Sequence, residues 1–168
     1  MNNELINEYK DDRTKELRGI FSSFSILQNR LQTIFDKTDT KITSKQFLLL
    51  TMIRYSKTAL SYTELGKQIG TSRQNVKKLA ILLEKNGFVK IDTASSKGNK
   101  VSINITEYAE EYFNKVYDEH TEILEKIFAD YSNEEIDMFY QLMTKLYSGV
   151  EKVEEGLTGQ TGTTIRKS

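Results

Sequence analysis

The 168-residue chain contains no cysteine, no proline and a single histidine. The absence of cysteine excludes disulfides, zinc–thiolate sites and thiol redox switches. A lone histidine, His120, disfavours a metal site, because transition-metal sites usually recruit several imidazoles or thiolates. The sequence also lacks a phosphate-cradling glycine loop, and one histidine gives no convincing Ser–His–Asp arrangement. We therefore expect neither a metal nor a cofactor, and we expect that the protein is not an enzyme.

Long apolar runs are absent as well. No stretch approaches the roughly 18 apolar residues that a membrane span requires. The segment that starts at Met1 does not show the basic and then apolar order of a secretory signal. Hydrophobic residues make up 38% and charged residues 29% of the chain, a composition typical of globular proteins. We expect a cytoplasmic protein that does not bind membranes.

Because proline is absent, helix boundaries must be read from capping residues and glycines. Apolar residues recur every three or four positions from Leu17 to Phe35, which predicts a long amphipathic helix. Two capping boxes, in which paired side chains satisfy the first helical amides, predict the next two helix starts. Their members are Thr43 with Gln46 and Ser61 with Glu64, and Gly70 is expected to end the second of these helices.

Thr71 with Gln74 predicts the start of a fourth helix, which should end at Asn86 and Gly87. Its inner face is predicted to carry the apolar residues Val76, Leu79, Leu82 and Leu83. The periodicity then changes to that of strands at residues 88–92 and 101–105. The polar segment between them has a turn signal at Gly98-Asn99, so we predict a hairpin with a basic tip.

Two long amphipathic helices are predicted after the hairpin. Thr106 can cap the first, whose apolar residues extend from Tyr108 to Phe128, and Ser132 with Glu135 starts a second that reaches Val150. The chain beyond Gly156 is rich in glycine and threonine, so we predict an unstructured tail. The fold class is therefore mainly α with a small β-hairpin wing, a winged helix-turn-helix with added long helices.

The formal net charge is zero, but the charges are unevenly distributed. Residues 41–100 contain 12 basic and 3 acidic side chains, whereas residues 101–158 contain 4 and 14. A strongly basic segment beside an acidic one indicates a surface for a polyanion, separated from helices with another task. Chance patterning of solvated faces remains the alternative on charge alone.

The order of helix 61–69, turn, helix 71–86 and hairpin is that of a winged helix-turn-helix, whose second helix enters the DNA major groove. We therefore predict that double-stranded DNA is the partner. The residues predicted to bind it are Ser72, Arg73, Gln74, Asn75, Lys77 and Lys78 on the helix, with Lys97 and Lys100 at the hairpin tip.

Within this set the roles are predicted to differ. Arg73 can form two hydrogen bonds with guanine, and Gln74 or Asn75 can form two with adenine. Lys77 and Lys78 are better placed for phosphates. Gln74 is also a capping candidate and cannot fully serve both roles, so Arg73 is the strongest candidate for base reading.

These residues resemble the MarR family of bacterial transcriptional regulators over about residues 15–150. The resemblance is carried by Ile42-Thr43-Ser44-Lys45-Gln46-Phe47, Tyr62-Thr63-Glu64-Leu65-Gly66-Lys67-Gln68-Ile69, Leu83-Glu84-Lys85-Asn86-Gly87-Phe88-Val89 and Ile103-Asn104-Ile105-Thr106. It implies a homodimer that binds a pseudo-palindromic site, and a small ligand bound between the dimer and DNA-binding parts. One departure is that Asp92-Thr93-Ala94 has Ala94 where the family's wing commonly has arginine. Minor-groove reading by the wing is therefore in question, although Lys97 and Lys100 can substitute.

The predicted domain organisation follows from these elements. Residues 1–40 form a dimerisation helix, 41–106 the DNA-binding domain, 107–155 the C-terminal dimerisation helices and 156–168 the tail. The apolar stripes of the last helices exceed what a small winged domain can cover, so a second copy is the expected partner. The aromatic and sulfur side chains of Phe24, Met52, Tyr55 and Tyr62 either pack in the core or line an effector pocket.

We expect a transcriptional regulator, most simply a repressor that a small ligand releases from its operator. The alternative is a winged-helix module that binds protein through its aromatic surface, with the basic residues serving solubility. Binding to random duplex DNA distinguishes the two, since binding to DNA should weaken steeply with salt.

Overall fold

The structure is a computed structural model that describes residues 13–92 and 102–161, with side chains up to residue 157. The elements in chain order are α1 Arg13–Thr38, α2 Ser44–Tyr55, α3 Tyr62–Ile69, α4 Arg73–Lys85, β1 Val89–Asp92, β2 Ser102–Ile105, α5 Glu107–Ile127 and α6 Asn133–Thr161. This order confirms the predicted fold class, a mainly helical chain with one small hairpin.

One hydrophobic core joins α2, α3, α4, the hairpin and the first half of α5. Its fully buried side chains come from every one of those elements except β2, which contributes partly buried residues. The core residues with the least exposure are Leu49, Leu50, Leu65, Val76, Ala80, Leu83, Phe88, Val89 and Ala109. Because each helix buries one stripe here, α4 is fixed in orientation, with its opposite side facing solvent.

Both predicted capping boxes before the helix-turn-helix are confirmed. The Thr43 amide donates to Gln46 Oε1 at 2.8 Å, and the Gln46 amide donates back to Thr43 Oγ1 at 3.3 Å. Ser61 and Glu64 make the same reciprocal pair at 2.7 and 3.1 Å. Gly70 ends α3 in the left-handed conformation with φ of 67°, as its lack of a Cβ allows.

The start of α4 differs from the sequence prediction by one residue. Ser72, rather than Thr71, is the N-cap, and its hydroxyl accepts the Asn75 amide at 3.2 Å. Both groups that Thr71 would use in a capping box with Gln74 are engaged elsewhere: its amide donates to the Gly66 carbonyl at 2.8 Å, and its hydroxyl accepts Asn75 Nδ2 at 2.8 Å. Gln74 is therefore not a capping residue, which removes the conflict between capping and base reading.

A second correction concerns the inner face of α4. Leu82 was predicted to be buried, but 46% of it is exposed, while Ala80 is fully buried. Ala80 lies one turn after Val76 and one turn before Leu83, on the side of α4 that is completely buried. Periodicity was read from the large apolar residues, so it placed Leu82 on the wrong side and gave no prediction for Ala80.

The hairpin has the predicted antiparallel pairing, with Val89 opposite Ile105 and Asp92 opposite Ser102. The first strand begins at Val89 rather than at the predicted residue 88, since Phe88 enters the core before β1 begins, and β2 covers the described part of the predicted 101–105. The hairpin tip, with Ala94, Lys97 and Lys100, lies outside the described residues, so the predictions for those residues stay predictions.

The chain divides into two compact units between Tyr117 and Asp118. The first half of α5 belongs to the unit that holds the winged helix, because Ala109, Tyr112, Phe113 and Val116 are buried there. The predicted domain boundary at residue 107 thus lies near the start of a helix that belongs to both units.

In the second unit, Ser132 and Glu135 form the predicted capping box at the start of α6, at 2.8 and 3.3 Å. The helix then continues through Gly156 to Thr161, whereas the sequence predicted an unstructured chain from residue 156. A glycine weakens a helix but ends it only with a left-handed backbone, and Gly156 has no positive φ, unlike Gly70 and Gly87. None of the helices in residues 13–92 and 102–161 is both long and apolar enough to cross a bilayer.

Candidate nucleic-acid interface

The exposed side of α4 carries the residues that the sequence singled out. Arg73, Gln74, Lys77 and Lys78 are all exposed, whereas Val76 on the opposite side is completely buried. A helix with 3.6 residues per turn places positions 74, 77 and 78 on one side and 76, 80 and 83 on the other, while Arg73 lies in the first turn at the border between the two sides. The burial of the second set therefore directs the first set outward as one continuous polar face.

Two of the predicted DNA-binding residues are partly engaged within the protein. The Ser72 hydroxyl accepts the Asn75 amide, and Asn75 Nδ2 donates to Thr71 Oγ1 at 2.8 Å. Asn75 is half-buried, while Gln74 beside it is exposed. Of the two side-chain amides predicted to contact adenine, that of Gln74 is therefore the more accessible to DNA. The side chain of Asn75 instead stabilises the start of α4.

The turn before α4 fixes where the helix begins. Gly66 is buried inside α3, and a Cβ at this position would lie 2.6 Å from the Thr71 carbonyl oxygen. Only glycine permits so close an approach of the two backbones. The sequence contains this glycine, but its spacing from Gly70 gave no signal that it was the contact point between α3 and the turn.

The other end of α4 is tied to the hairpin. Glu84 Oε1 accepts the Ile91 amide of β1 at 2.8 Å, and the Thr106 hydroxyl donates to the Gly87 carbonyl at 2.7 Å. These contacts orient the wing relative to the helix that carries the polar face. They also occupy Glu84, one of the few acidic groups in this part of the chain.

Some of the positive charge counted in the sequence is directed away from α4. Arg54 forms a 2.7 Å ion pair with Glu110, and its guanidinium lies 4.5 Å from the centre of the Phe113 ring. Lys41 Nζ lies 3.2 Å from the Tyr108 hydroxyl. Both cations pack against α5, so the excess of basic residues overstates the charge available to a polyanion.

Arg73 also acts on a residue of α3. Burial raises the pKa of the Tyr62 hydroxyl, the carboxylate of Glu84 raises it further, and the positive charge of Arg73 partly opposes them. Tyr62 is therefore neutral at physiological pH. Tyr62 belongs to the hydrophobic core. Two exposed residues of α4, Arg73 and Glu84, are therefore close enough to a core residue to affect its pKa.

The four residues predicted either to line an effector pocket or to pack in the core differ widely in burial. Tyr62 is buried, Phe24 is half-buried, Met52 packs against the core, and 67% of Tyr55 is exposed. A small open cavity of about 210 Å³ lies elsewhere in the winged-helix unit and has none of the four in its lining. Its lining includes Ile53, Ile103 and Lys57.

Comparison with known proteins gives a clear result only at the level of structure. No protein-family model and no curated protein sequence matches this chain. A MarR/EmrR family transcriptional regulator from Acinetobacter sp. ADP1 superposes with a TM-score of 0.71 at 18% identity, covering 80% of this chain and 96% of its own. The chain has the MarR-type winged-helix fold.

Two further structures that superpose on this chain were solved with a bound molecule. The S. aureus MepR–DNA complex matches with a TM-score of 0.66 at 16% identity, covering 77% of this chain and 96% of its own. The PcaV transcriptional regulator from Streptomyces coelicolor, in complex with its natural ligand, matches with a TM-score of 0.61 at 16% identity, covering 74% and 91%. In the MarR-type fold of this chain, α3 and α4 are the helix-turn-helix and β1 with β2 is the wing.

Proposed function

We propose that this protein is a sequence-specific, double-stranded DNA-binding transcriptional regulator. The observation that carries the proposal is the exposed face of α4, which presents Arg73, Gln74, Lys77 and Lys78 beside a completely buried opposite side. A helix of this kind fits the major groove, where arginine and glutamine read base edges and lysines contact phosphates. The fold supports the same reading, since MepR has been solved as a complex with DNA.

We propose that the protein acts as a homodimer. In the first unit, α1 has no buried side chain, although its exposed residues include Leu17, Ile20 and Phe21. In the second unit, α6 carries an apolar residue at every first and fourth position of a seven-residue repeat, namely Ile136, Phe139, Met143, Leu146, Val150, Val153 and Leu157. All but Met143 are exposed. A seam of this kind over three repeats is typical of a helix that pairs with another helix, and a second copy supplies one.

A two-fold homodimer sets the form of the DNA site. It presents two copies of α4 about 34 Å apart, one turn of DNA, and therefore favours a pseudo-palindromic operator. A dimer bound across a promoter blocks transcription, so we propose that the protein is a repressor. Release by a small ligand is part of the proposal, and the structure of PcaV with its natural ligand supports it by analogy of fold.

The test is a binding titration of the purified protein with random and selected duplexes. The proposal expects binding to random duplex that weakens steeply with salt, since counterions are released from the phosphates, and tighter binding to a selected pseudo-palindrome. Absence of binding to any duplex in dilute buffer would refute it and would favour the protein-binding module instead. The ligand part is tested by screening small aromatic acids for thermal stabilisation together with loss of duplex binding.

A further inference from the structure

One apolar side chain interrupts the polar face of α4. Ile81 is 48% exposed and lies outside the hydrophobic core and the residues packed against it. Its neighbours one turn earlier, Lys77 and Lys78, are exposed and charged. Because Ile81 is not part of the described core, its side chain is available to whatever binds this face.

The position of Ile81 follows the spacing with which a helix meets a groove. Gln74, Lys77, Lys78 and Ile81 stand at i, i+3, i+4 and i+7, which places them on one side of α4. Recognition helices that lie along the major groove use this same spacing to reach successive base pairs. Seven residues of helix advance about 10 Å, comparable with the rise of about three base pairs.

We propose that Ile81 reads the 5-methyl group of a thymine in the major groove, about three base pairs from the base that Gln74 contacts. This inference rests on the proposed DNA-binding function and adds a specificity-determining residue to it. The thymine methyl is the one apolar group among the hydrogen-bonding atoms of the major-groove edges, and an aliphatic side chain is its natural contact. Burial of both groups removes apolar surface from water without any need for a hydrogen bond.

Leu82 provides a matched control. It is the next residue of the same helix and is 46% exposed, almost the same as Ile81. Its direction differs from that of Ile81 by about 100° around the helix axis, so it lies at the edge of the face beside Lys78, away from the line that joins Gln74 and Ile81. Truncation of either side chain removes exposed apolar surface from α4, but only that of Ile81 should alter base preference.

The experiment uses the full-length protein and a duplex selected by the wild type. Each thymine is replaced in turn by deoxyuridine, which removes the methyl group alone. We expect one position in each half-site to lower wild-type affinity about fourfold, the equivalent of one buried methyl group. Ile81→Ala should bind the thymine and deoxyuridine duplexes equally at that position, whereas Leu82→Ala should keep the wild-type difference. Thermal melting checks that both variants are folded.

Two results would overturn the inference while leaving the proposed function intact. One is salt-dependent, sequence-specific binding that is insensitive to every thymine replacement. The other is an Ile81→Ala variant that discriminates thymine from deoxyuridine as well as the wild type does. Failure of the wild type to bind any duplex would remove the proposed function and this inference together.

Discussion

The Thr71 amide donates to the Gly66 carbonyl at 2.8 Å, and the Thr71 carbonyl oxygen lies only 2.6 Å from the place that a Cβ on Gly66 would occupy. The two backbones are thus in contact across the turn between α3 and α4. This contact sets the point at which α4 begins and therefore which residues occupy its exposed first turn.

Gly66→Ala is expected to destabilise the protein by about 1–3 kcal/mol, because the new methyl group meets backbone atoms that cannot move without opening the turn. Gly149→Ala is the control, since this helical glycine has nothing within 4 Å of an added Cβ. That variant should be as stable as the wild type or more stable by up to about 1 kcal/mol. Urea unfolding of the two variants measures the difference, and equal effects would contradict the proposed role of the turn.

Arg73→Ala should relax base preference more than it lowers affinity for random DNA. The guanidinium is exposed at the first position of α4 and can form two hydrogen bonds to guanine. We expect a loss of about 1–3 kcal/mol on the selected duplex. Competition binding with all single-base variants of the operator measures this, and an unchanged preference at every position would count against Arg73 as a base-reading residue.

Lys77→Ala should weaken binding to all duplexes about equally. A lysine that contacts a phosphate contributes about one unit to the slope of log affinity against log salt, so that slope should flatten by about one. Lys152→Ala on α6 is the charge-matched control and should leave the slope unchanged. A flattened slope in both variants would mean that net charge, rather than the face of α4, determines binding.

Leu146→Asp should convert the dimer to a monomer, because it places a charge in the centre of the seven-residue apolar repeat of α6. Ser148→Asp on the same helix lies outside the repeat and should leave the assembly intact. Sedimentation velocity at micromolar concentration separates the two cases. If the wild type is itself a monomer under these conditions, the dimer proposal fails.

Asp36 links the end of α1 to the start of α2. Partial burial alone would raise the pKa of its carboxyl, but hydrogen bonds from the Ser44 amide at 2.6 Å and from the Ser44 hydroxyl outweigh burial and lower it. The folded pKa therefore lies below the ordinary value of 3.8. Stability from this contact is complete above about pH 4 and is lost as pH falls through the folded pKa.

Asp36→Ala should lower the free energy of unfolding by about 1 kcal/mol at pH 7, with the difference from the wild type shrinking below about pH 4. Asp36→Asn should show a smaller loss at pH 7, and its difference from the wild type should also shrink below about pH 4, because the wild-type carboxyl becomes neutral there. Denaturant unfolding at pH 7 and at pH 3 tests this. A difference that grows towards acid pH would contradict the assigned direction of the pKa.

Features determined by neighbours in sequence were predictable. The capping boxes at Thr43, Ser61 and Ser132 were confirmed, since the paired residue stands three positions later and the geometry is local. The exposed face of α4 followed in the same way from helical periodicity. These local signals were sufficient to establish the winged-helix order of elements.

Features that depend on tertiary contacts were missed. The choice of Ser72 over Thr71 as the N-cap depends on the Gly66 contact, and the burial of Ala80 instead of Leu82 depends on which side of α4 the rest of the fold covers. The pairing of Arg54 with Glu110 brings together residues far apart in sequence. Neither composition nor periodicity contains information about such contacts, so the charge count overstated the polycationic surface.

The most direct test of the account is a fluorescence anisotropy titration of a duplex at low salt with three proteins. These are the wild type, the triple variant Arg73→Ala, Lys77→Ala, Lys78→Ala, and the charge-matched triple variant Lys126→Ala, Lys145→Ala, Lys152→Ala. The account predicts tight wild-type binding, a loss of at least about a hundredfold in the first variant and a change within about twofold in the second. Absence of wild-type binding, or an equal loss in the two variants, would contradict it.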